Sequence, residues 1–332
     1  MHIFTGLQQR QSRIENINFK SFQDAGEAVL KFLHQHFGFN LWMITRVEGQ
    51  DWIVLQSEDH GYDIRPGQVF QWADSFCSHM VAGKAPRIAP RSEEIPLYAT
   101  APINQQVCIK SYIGQPLLKE DGSLFGTLCA IDPETKSEAI VQDMQLVELL
   151  GQLLSSILQA ELRQSEQVRQ HELLQEEASK DELTGLYNRR AWEKLLRAEE
   201  ERCKQYGHPA AVLFIDLNDL KKLNDSLGHD EGDKLIQNAA QVLRDNVRIN
   251  DIVARLGGDE FVILSVENDE TGTESLVDRL INAFAAANIG AAIGMAMRHP
   301  GHGLFAALAQ ADQNMFEYKR RKKFSESVTN LK

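Results

Sequence analysis

Apolar residues recur every three or four positions in FQDAGEAVLKFLHQHFG (22–38), which predicts an amphipathic helix stopped by Gly38. LWMITRV and WIVLQS follow as strands on either side of an EGQD turn. SYIGQPLL and SLFGTLCAID read as a second strand pair closed by KEDG, whose Asp-Gly step is a strong hairpin signal. Residues 21–160 are therefore expected to form an antiparallel sheet with helices packed against it. From 143 to 180 the pattern is helical, with no proline and a single glycine, Gly151. Leu146, Leu150, Leu153 and Ile157 make a 4-3-4 seam able to pair with a second copy. Beyond Leu162 the stretch RQSEQVRQHELLQEEASK is mostly polar. A solvated connecting helix and a dimeric coiled coil fit this periodicity equally, and either makes a stiff rod.

A second α+β pattern starts at 181. NRRAWEKLLRAEEERCKQYG reads as an amphipathic helix with Asn188 as N-cap and Gly207 past its end. AAVLFID is a continuous apolar run ending in an acid, as in a central strand, and GDKLIQNAAQVLRDNV is another amphipathic helix. DIVARLGGDEFVILSV reads as a hairpin. A helix from about 274, a strand near 289–297 and a terminal helix from about 304 complete the domain.

The 332 residues suit two domains of about 150 residues each. The net charge of −12 argues against nucleic acid as a general partner, so any nucleotide site must build its positive potential locally. Cys77, Cys108, Cys129 and Cys203 are widely spaced with no CxxC pair, which suits reduced thiols in a cytoplasmic protein. The chain opens without a long apolar stretch. Its most apolar segment, 281–297, falls short of a membrane span, so no membrane partner is expected.

The hairpin ARLGGDEFVIL sets Asp259 and Glu260 side by side in its turn, where Asn-Gly would close the chain at less electrostatic cost. If AAVLFID is a neighbouring strand, Asp216 joins them at one sheet end. One or two carboxylates supplemented by substrate phosphates is how magnesium is commonly held. Gly257 and Gly258 would let backbone approach a phosphate.

These residues fall within a wider pattern. DELTGLYNRR, FIDLNDLKKLND, GHDEGD, RIND, RLGGDEF and ADQNMFEYK occur in this order, and together they make residues 181–323 resemble a GGDEF domain of the diguanylate cyclase family. The resemblance implies a nucleotidyl cyclase, palm-like α/β fold that joins two GTP into cyclic di-GMP and releases pyrophosphate. It implies magnesium, with manganese as an alternative ion, on Asp216, Asp259 and the Leu217 carbonyl, and catalysis by Glu260 and Asp259. Asn224 and Asp233 would read guanine, Asp233 accepting from a donor pair that adenine lacks. Phosphate contacts would come from Asp219 and Leu220 through their N–H groups and from Lys221, Lys319 and Lys323. Arg248 and Asp251 form an RxxD arrangement with five residues between Asp251 and Gly257, a spacing that in the family marks an inhibitory site for cyclic di-GMP. Leu220 stands for a common Phe, Asn218 for a common Asp and Lys323 for a usual Arg, which forfeits a bidentate fork.

DSFCSHMVAGKAPRI and SYIGQPLLKEDGSLFGTLCAID, with the helix after them, make residues 21–160 resemble a GAF domain; PAS-like folds share the pattern. Such domains bind small molecules or dimerise, so a GAF ligand of unknown identity is expected. Trp42, Trp72, Phe76, Tyr98 and Tyr112 can line a pocket or fill a core, and Cys77 with His79 can hold a haem or bilin or be inert core groups. The resulting division is an extension 1–20, a GAF-like domain 21–160, a helical linker 143–180 overlapping its last helix, a GGDEF domain 181–324 and a tail 325–332. The expected protein is a cytoplasmic homodimer, because each GGDEF domain binds one GTP and two must face each other. The alternative is a non-catalytic receptor for GTP or cyclic di-GMP that acts through protein contacts.

Overall fold

The computed structural model describes residues 19–175 and 179–329, with side chains described through Arg321. Helix α1 (Phe22–Phe37) starts at Ser21, whose hydroxyl accepts from the Asp24 N–H at 3.0 Å, and stops at Gly38 in the left-handed region. Strands β1 (Leu41–Glu48), β2 (Asp51–Asp59), β3 (Val69–Gln71), β4 (Ile88–Ala89), β5 (Ser111–Leu118) and β6 (Leu124–Asp132) form one sheet in the order β3-β2-β1-β6-β5-β4. Every pairing in it is antiparallel. The short helices α2 (Phe76–Val81) and α3 (Pro96–Ala99) lie in the connection between β3 and β5.

Alternation along the strands gives this sheet two cores. Trp42, Ile44, Phe125 and Leu128 face α1 and the long helix α4 (Met144–Gln175). Leu41, Met43 and Cys129 face α2, where Phe76, Cys77, Tyr98 and Tyr112 pack. Trp42 therefore lies on the opposite face from Phe76, Tyr98 and Tyr112, and the five candidate pocket aromatics do not share one pocket.

Helix α4 is neither a free rod nor a simple seam. The stripe buried on the sheet is Val147, Gly151, Leu154 and Leu158, also at 4-3-4 spacing but one residue beyond the expected seam. Leu153 of that expected seam is exposed, and so is Leu149 beside it. The polar half of the helix is held by charge. Arg169, 3% exposed, donates to both Glu199 oxygens at 3.1 and 3.0 Å, to Glu166 at 2.6 Å and to Glu267 at 3.0 Å. Arg202 bridges Glu199 and Glu172, and Glu161 accepts from the Tyr206 hydroxyl at 2.9 Å.

The helix thus docks onto the second unit, whose elements are β7 (Tyr187–Asn188), α5 (Arg189–Tyr206), β8 (Ala210–Leu217), α6 (Leu220–Leu227), α7 (His229–Asp245), β9 (Ile252–Gly257), β10 (Glu260–Val266), α8 (Glu270–Ala286), β11 (Ala291–Met297) and α9 (Gly303–Thr329). Their sheet runs β11-β8-β10-β9-β7, with β7 and β9 parallel and the other pairs antiparallel. Helices α5 and α9 cover one face; α6, α7 and α8 cover the other. Strand β8 lies between β10 and β11 with a helical layer on each side, which is why AAVLFI is apolar without alternation. Asn188 caps α5 by accepting from the Ala191 N–H at 3.0 Å, and Gly207 ends it at φ 67°.

Candidate functional site

The second sheet brings Asp216 and Glu260 face to face. They are direct partners in the β8–β10 ladder, and Asp259 precedes Glu260 in the β9–β10 turn. That turn needs its glycines: Gly257 and Gly258 have φ of 148° and 51°. Its shape is fixed from below by Arg255, which donates to the Gly258 carbonyl through Nε at 3.0 Å and Nη2 at 2.9 Å. The same guanidinium donates to Asp181 at 3.1 Å. Burial works against ionising Asp181, yet hydrogen bonds from Thr184 and Arg255 hold its carboxyl below the ordinary range. Asp181 and Arg255 both lie in the quoted motifs, but the residue pattern gave neither a role, because a strut under a turn leaves no spacing signature.

The turn acids, in contrast, make no side-chain hydrogen bond among the described residues, and Glu260 has only the long ion pair with Arg189. Among the described residues the Asp259 carboxylate has no hydrogen-bond partner, while its backbone carbonyl accepts from the Leu217 N–H at 3.1 Å. Glu260 holds its proton more tightly than an ordinary glutamate. Burial is the main cause; Arg189, 3.9 Å away, opposes it, and Asp259, Asp216 and Asp312 add to it. Lys319 on α9 meets Asp216 with Nζ 2.5 Å from Oδ1. No ready-made cluster of three acidic, His or Cys ligands exists among the described residues. Even so, the donor chemistry fits a hard divalent cation. Asp216 lies near the end of β8, Asp259 in the turn before β10, Glu260 beside it resists its own negative charge, and the Lys319 ammonium pairs with Asp216.

Beyond β8 the chain turns through Asp219 in the left-handed region (φ 59°), and α6 begins with no side-chain cap. The first N–H groups of this helix, including those of Leu220 and Lys221, are available to an anion. Lys221 is exposed and Leu220 is buried under the turn. Asn224 on α6 has its Oδ1 buried without a partner among the described residues, an acceptor open to a donor from outside the chain. Gly232 on α7 makes room for it, since a Cβ there would lie 1.9 Å from that oxygen. The residue pattern gave Gly232 no role. Asp233 is exposed on α7, next in sequence to Gly232. The Lys323 side chain lies outside the described residues.

The RxxD pair divides. Asp251 is buried, and its two oxygens accept from the Arg248 N–H at 2.9 Å and the Val266 N–H at 3.2 Å. Arg248 projects from an exposed turn. Asn250 of the same turn accepts from Gln170 of α4 at 2.7 Å, so this turn touches the helix arriving from the first unit.

Comparison with known proteins accords with this architecture. Residues 178–325 match the family model of the diguanylate cyclase, GGDEF domain, and residues 21–158 match that of the GAF domain. The chain thus carries a GAF domain joined to a GGDEF domain. It is 31% identical over 172 residues to diguanylate cyclase DgcP of Escherichia coli, covering 52% of this chain and 50% of that protein. It is 35% identical over 161 residues to diguanylate cyclase DosC of Escherichia coli, covering 45% of this chain and 35% of that one. The chain therefore spans half or less of the length of these relatives. Among solved structures, the GGDEF domain of DgcB from Caulobacter crescentus in complex with c-di-GMP aligns with TM-score 0.41 at 24% identity, covering 43% of this chain and 91% of that one. No helix among the described residues is long and apolar enough to cross a membrane.

Proposed function

We propose that this protein is a diguanylate cyclase that condenses two GTP into cyclic di-GMP and two pyrophosphates. The observation that carries this reading is the turn of Gly257, Gly258, Asp259 and Glu260 lying across from Asp216, with Lys319 paired to Asp216 at its edge. Asp216, Asp259 and the Leu217 carbonyl would hold magnesium, or manganese in its place. Once bound, the ion supplies Lewis acidity at the α-phosphate and neutralises the departing pyrophosphate. Asn224 and Asp233 take the guanine edge; the orphan oxygen of Asn224 gains a donor there. The uncapped start of α6 and Lys221 take the triphosphate, and Lys319 exchanges Asp216 for phosphate oxygen.

Glu260 receives the proton of the attacking ribose 3′-hydroxyl. Its raised proton affinity makes it a stronger base than an ordinary carboxylate. A homodimer is required, because the two nucleotides sit on separate GGDEF domains. The GAF domain and α4 regulate how those domains meet, and product inhibition acts at Arg248, whose exposed side chain is free to grip a phosphate or a guanine. Asp251 then contributes by shaping the turn.

Incubating purified protein with GTP and magnesium, and resolving products by liquid chromatography and mass spectrometry, tests the reading. Cyclic di-GMP and pyrophosphate in a 1:2 ratio are expected. Saturable GTP binding with no product would overturn it in favour of the receptor alternative. Arg248→Ala should keep initial activity and lose inhibition by added cyclic di-GMP. Unchanged inhibition would remove the RxxD assignment alone.

A further inference from the structure

The GAF domain contains a polar cluster that neither the fold nor the proposed cyclase reaction uses. Cys77 of α2 and Cys129 of β6 are 1% and 0% exposed, and they approach each other inside the core between the sheet and α2. The Thr127 hydroxyl reaches both sulfurs, at 3.4 Å from Cys77 and 3.7 Å from Cys129. The Tyr112 hydroxyl donates to the Cys77 sulfur at 3.2 Å. Thr127 is braced in turn by the Thr45 hydroxyl at 2.8 Å, which accepts from the Trp52 indole at 2.9 Å. Position 114 is part of this arrangement, since a Cβ there would lie 1.9 Å from the Tyr112 oxygen. Hydroxyls buried in an apolar core without a partner are costly, and the partner of the Tyr112 hydroxyl here is a sulfur. An adjoining apolar cavity of about 20 Å³, lined by both cysteines with Trp52, Phe76 and Tyr112, has room for a molecule the size of water or hydrogen peroxide.

We propose that Cys77 and Cys129 form a redox pair, closing to an intramolecular disulfide when a small peroxide enters this cavity. The Cys77 thiolate attacks one peroxide oxygen; an S–O bond forms, the O–O bond breaks, and the leaving hydroxide takes a proton to become water. The Cys129 sulfur then attacks the Cys77 sulfenic acid. The S–S bond forms, the S–O bond breaks, and hydroxide leaves as water with the Cys129 proton. Two thiols lose two electrons and one peroxide becomes two waters. The surroundings separate the roles. Burial opposes ionisation of Cys77, but hydrogen bonds from Cys129, Thr127 and Tyr112 outweigh it and lower its proton affinity; burial leaves Cys129 strongly protonated. Cys77 is therefore the attacking sulfur and Cys129 the resolving one. Closure ties α2 to the central sheet and narrows the cavity.

The experiment uses the full chain with the exposed Cys108 removed as Cys108→Ser. The protein is treated with hydrogen peroxide at doses that leave its circular dichroism native, then unfolded, alkylated with N-ethylmaleimide and mapped by mass spectrometry. Loss of the Cys77 and Cys129 adducts is expected, with Cys203 still alkylated, a linked 77–129 peptide two hydrogens lighter than its reduced parts, and full recovery on dithiothreitol. Adding Cys129→Ser should stop Cys77 at the sulfenic or sulfinic acid, trapped as a dimedone adduct or as added oxygen. Complete alkylation of Cys77 and Cys129 after peroxide would overturn the proposal. So would a disulfide that forms only after the circular dichroism has changed.

Discussion

Two hairpin turns in this molecule are built from nearly the same letters and do opposite things. Between β5 and β6, Lys119-Glu120-Asp121-Gly122 spends its acid on itself. Asp121 accepts from the Ser123 N–H at 2.9 Å and the Ser123 hydroxyl at 2.6 Å, and Gly122 takes the positive φ that the turn requires. Between β9 and β10, two glycines take the positive φ angles, and Asp259 and Glu260 make no local hydrogen bonds among the described residues. The first turn lowers the proton affinity of its acid through the Ser123 hydroxyl; the second raises that of Glu260 through burial and neighbouring acids. A carboxylate that folds the chain is satisfied by the chain. On the proposed reading, one kept for a ligand is supported from behind, here by Arg255, and left without a hydrogen bond in front.

The sharpest way to break this contrast is to remove the acids of the second turn. Asp259→Ala or Glu260→Ala should lower cyclic di-GMP formation by at least about a hundredfold, measured as initial rate from GTP. The circular dichroism spectrum and Tm should stay at the parent values or rise, because one of two repelling charges is gone. Arg255→Ala attacks the support instead. It should lower kcat about ten- to a hundredfold with GTP binding largely kept, since misplacing a group by about 1 Å costs that much. Equal kcat in the variant would mean that the turn holds its shape unaided.

Proton titration sharpens the contrast without mutation. With carboxyl-labelled protein followed by NMR, Glu260 should titrate above the ordinary glutamate range and Asp121 below the ordinary aspartate range. Added magnesium should pull Glu260 down and leave Asp121 unmoved. The sign for stability follows. Without a cation, ionising Glu260 costs more in the folded chain than in the unfolded one, so its contribution falls as pH climbs from the ordinary glutamate value through the raised one. Below that window the cost vanishes, and Glu260→Gln should flatten this part of the pH–stability curve. The smallest expected effect is that of Asp121→Ala, which should leave cyclase activity at the parent level and scarcely move Tm. A loss of activity there would show that the first turn reports to the site.

Much of the cyclase-like site was legible because it follows strand logic. An apolar run ending in Asp216 and a hairpin tipped by Asp259 and Glu260 need only adjacent strands to bring the acids together, and β8 and β10 are adjacent. The orphan oxygen of Asn224 and the Arg255 strut were not legible, because both depend on distances between elements. Helix α4 was legible only in part. Leu146, Leu150, Leu153 and Ile157 share one spacing with positions 147, 151, 154 and 158, and only the sheet decides which stripe it covers. Its polar half reads as solvated until Glu199 and Glu267 arrive from distant parts of the chain to surround Arg169.

That arrangement has a consequence for modularity. A sensor domain is commonly thought of as a cartridge, exchanged by cutting the chain between family boundaries. Here residues 161–173 lie before the GGDEF match at 178, yet they supply Glu161, Arg169 and Glu172 to α5, and Leu173 to the apolar core of that domain. A cut at 178 would leave Glu199 facing Arg202 alone. Glu199 would lose the two-pronged contact from Arg169, and the apolar core would lose Leu173. In a chimera the helix from about 160 onward therefore travels with the output domain, and a new sensor has to be grafted at the level of Leu158, where apolar packing gives way to charge.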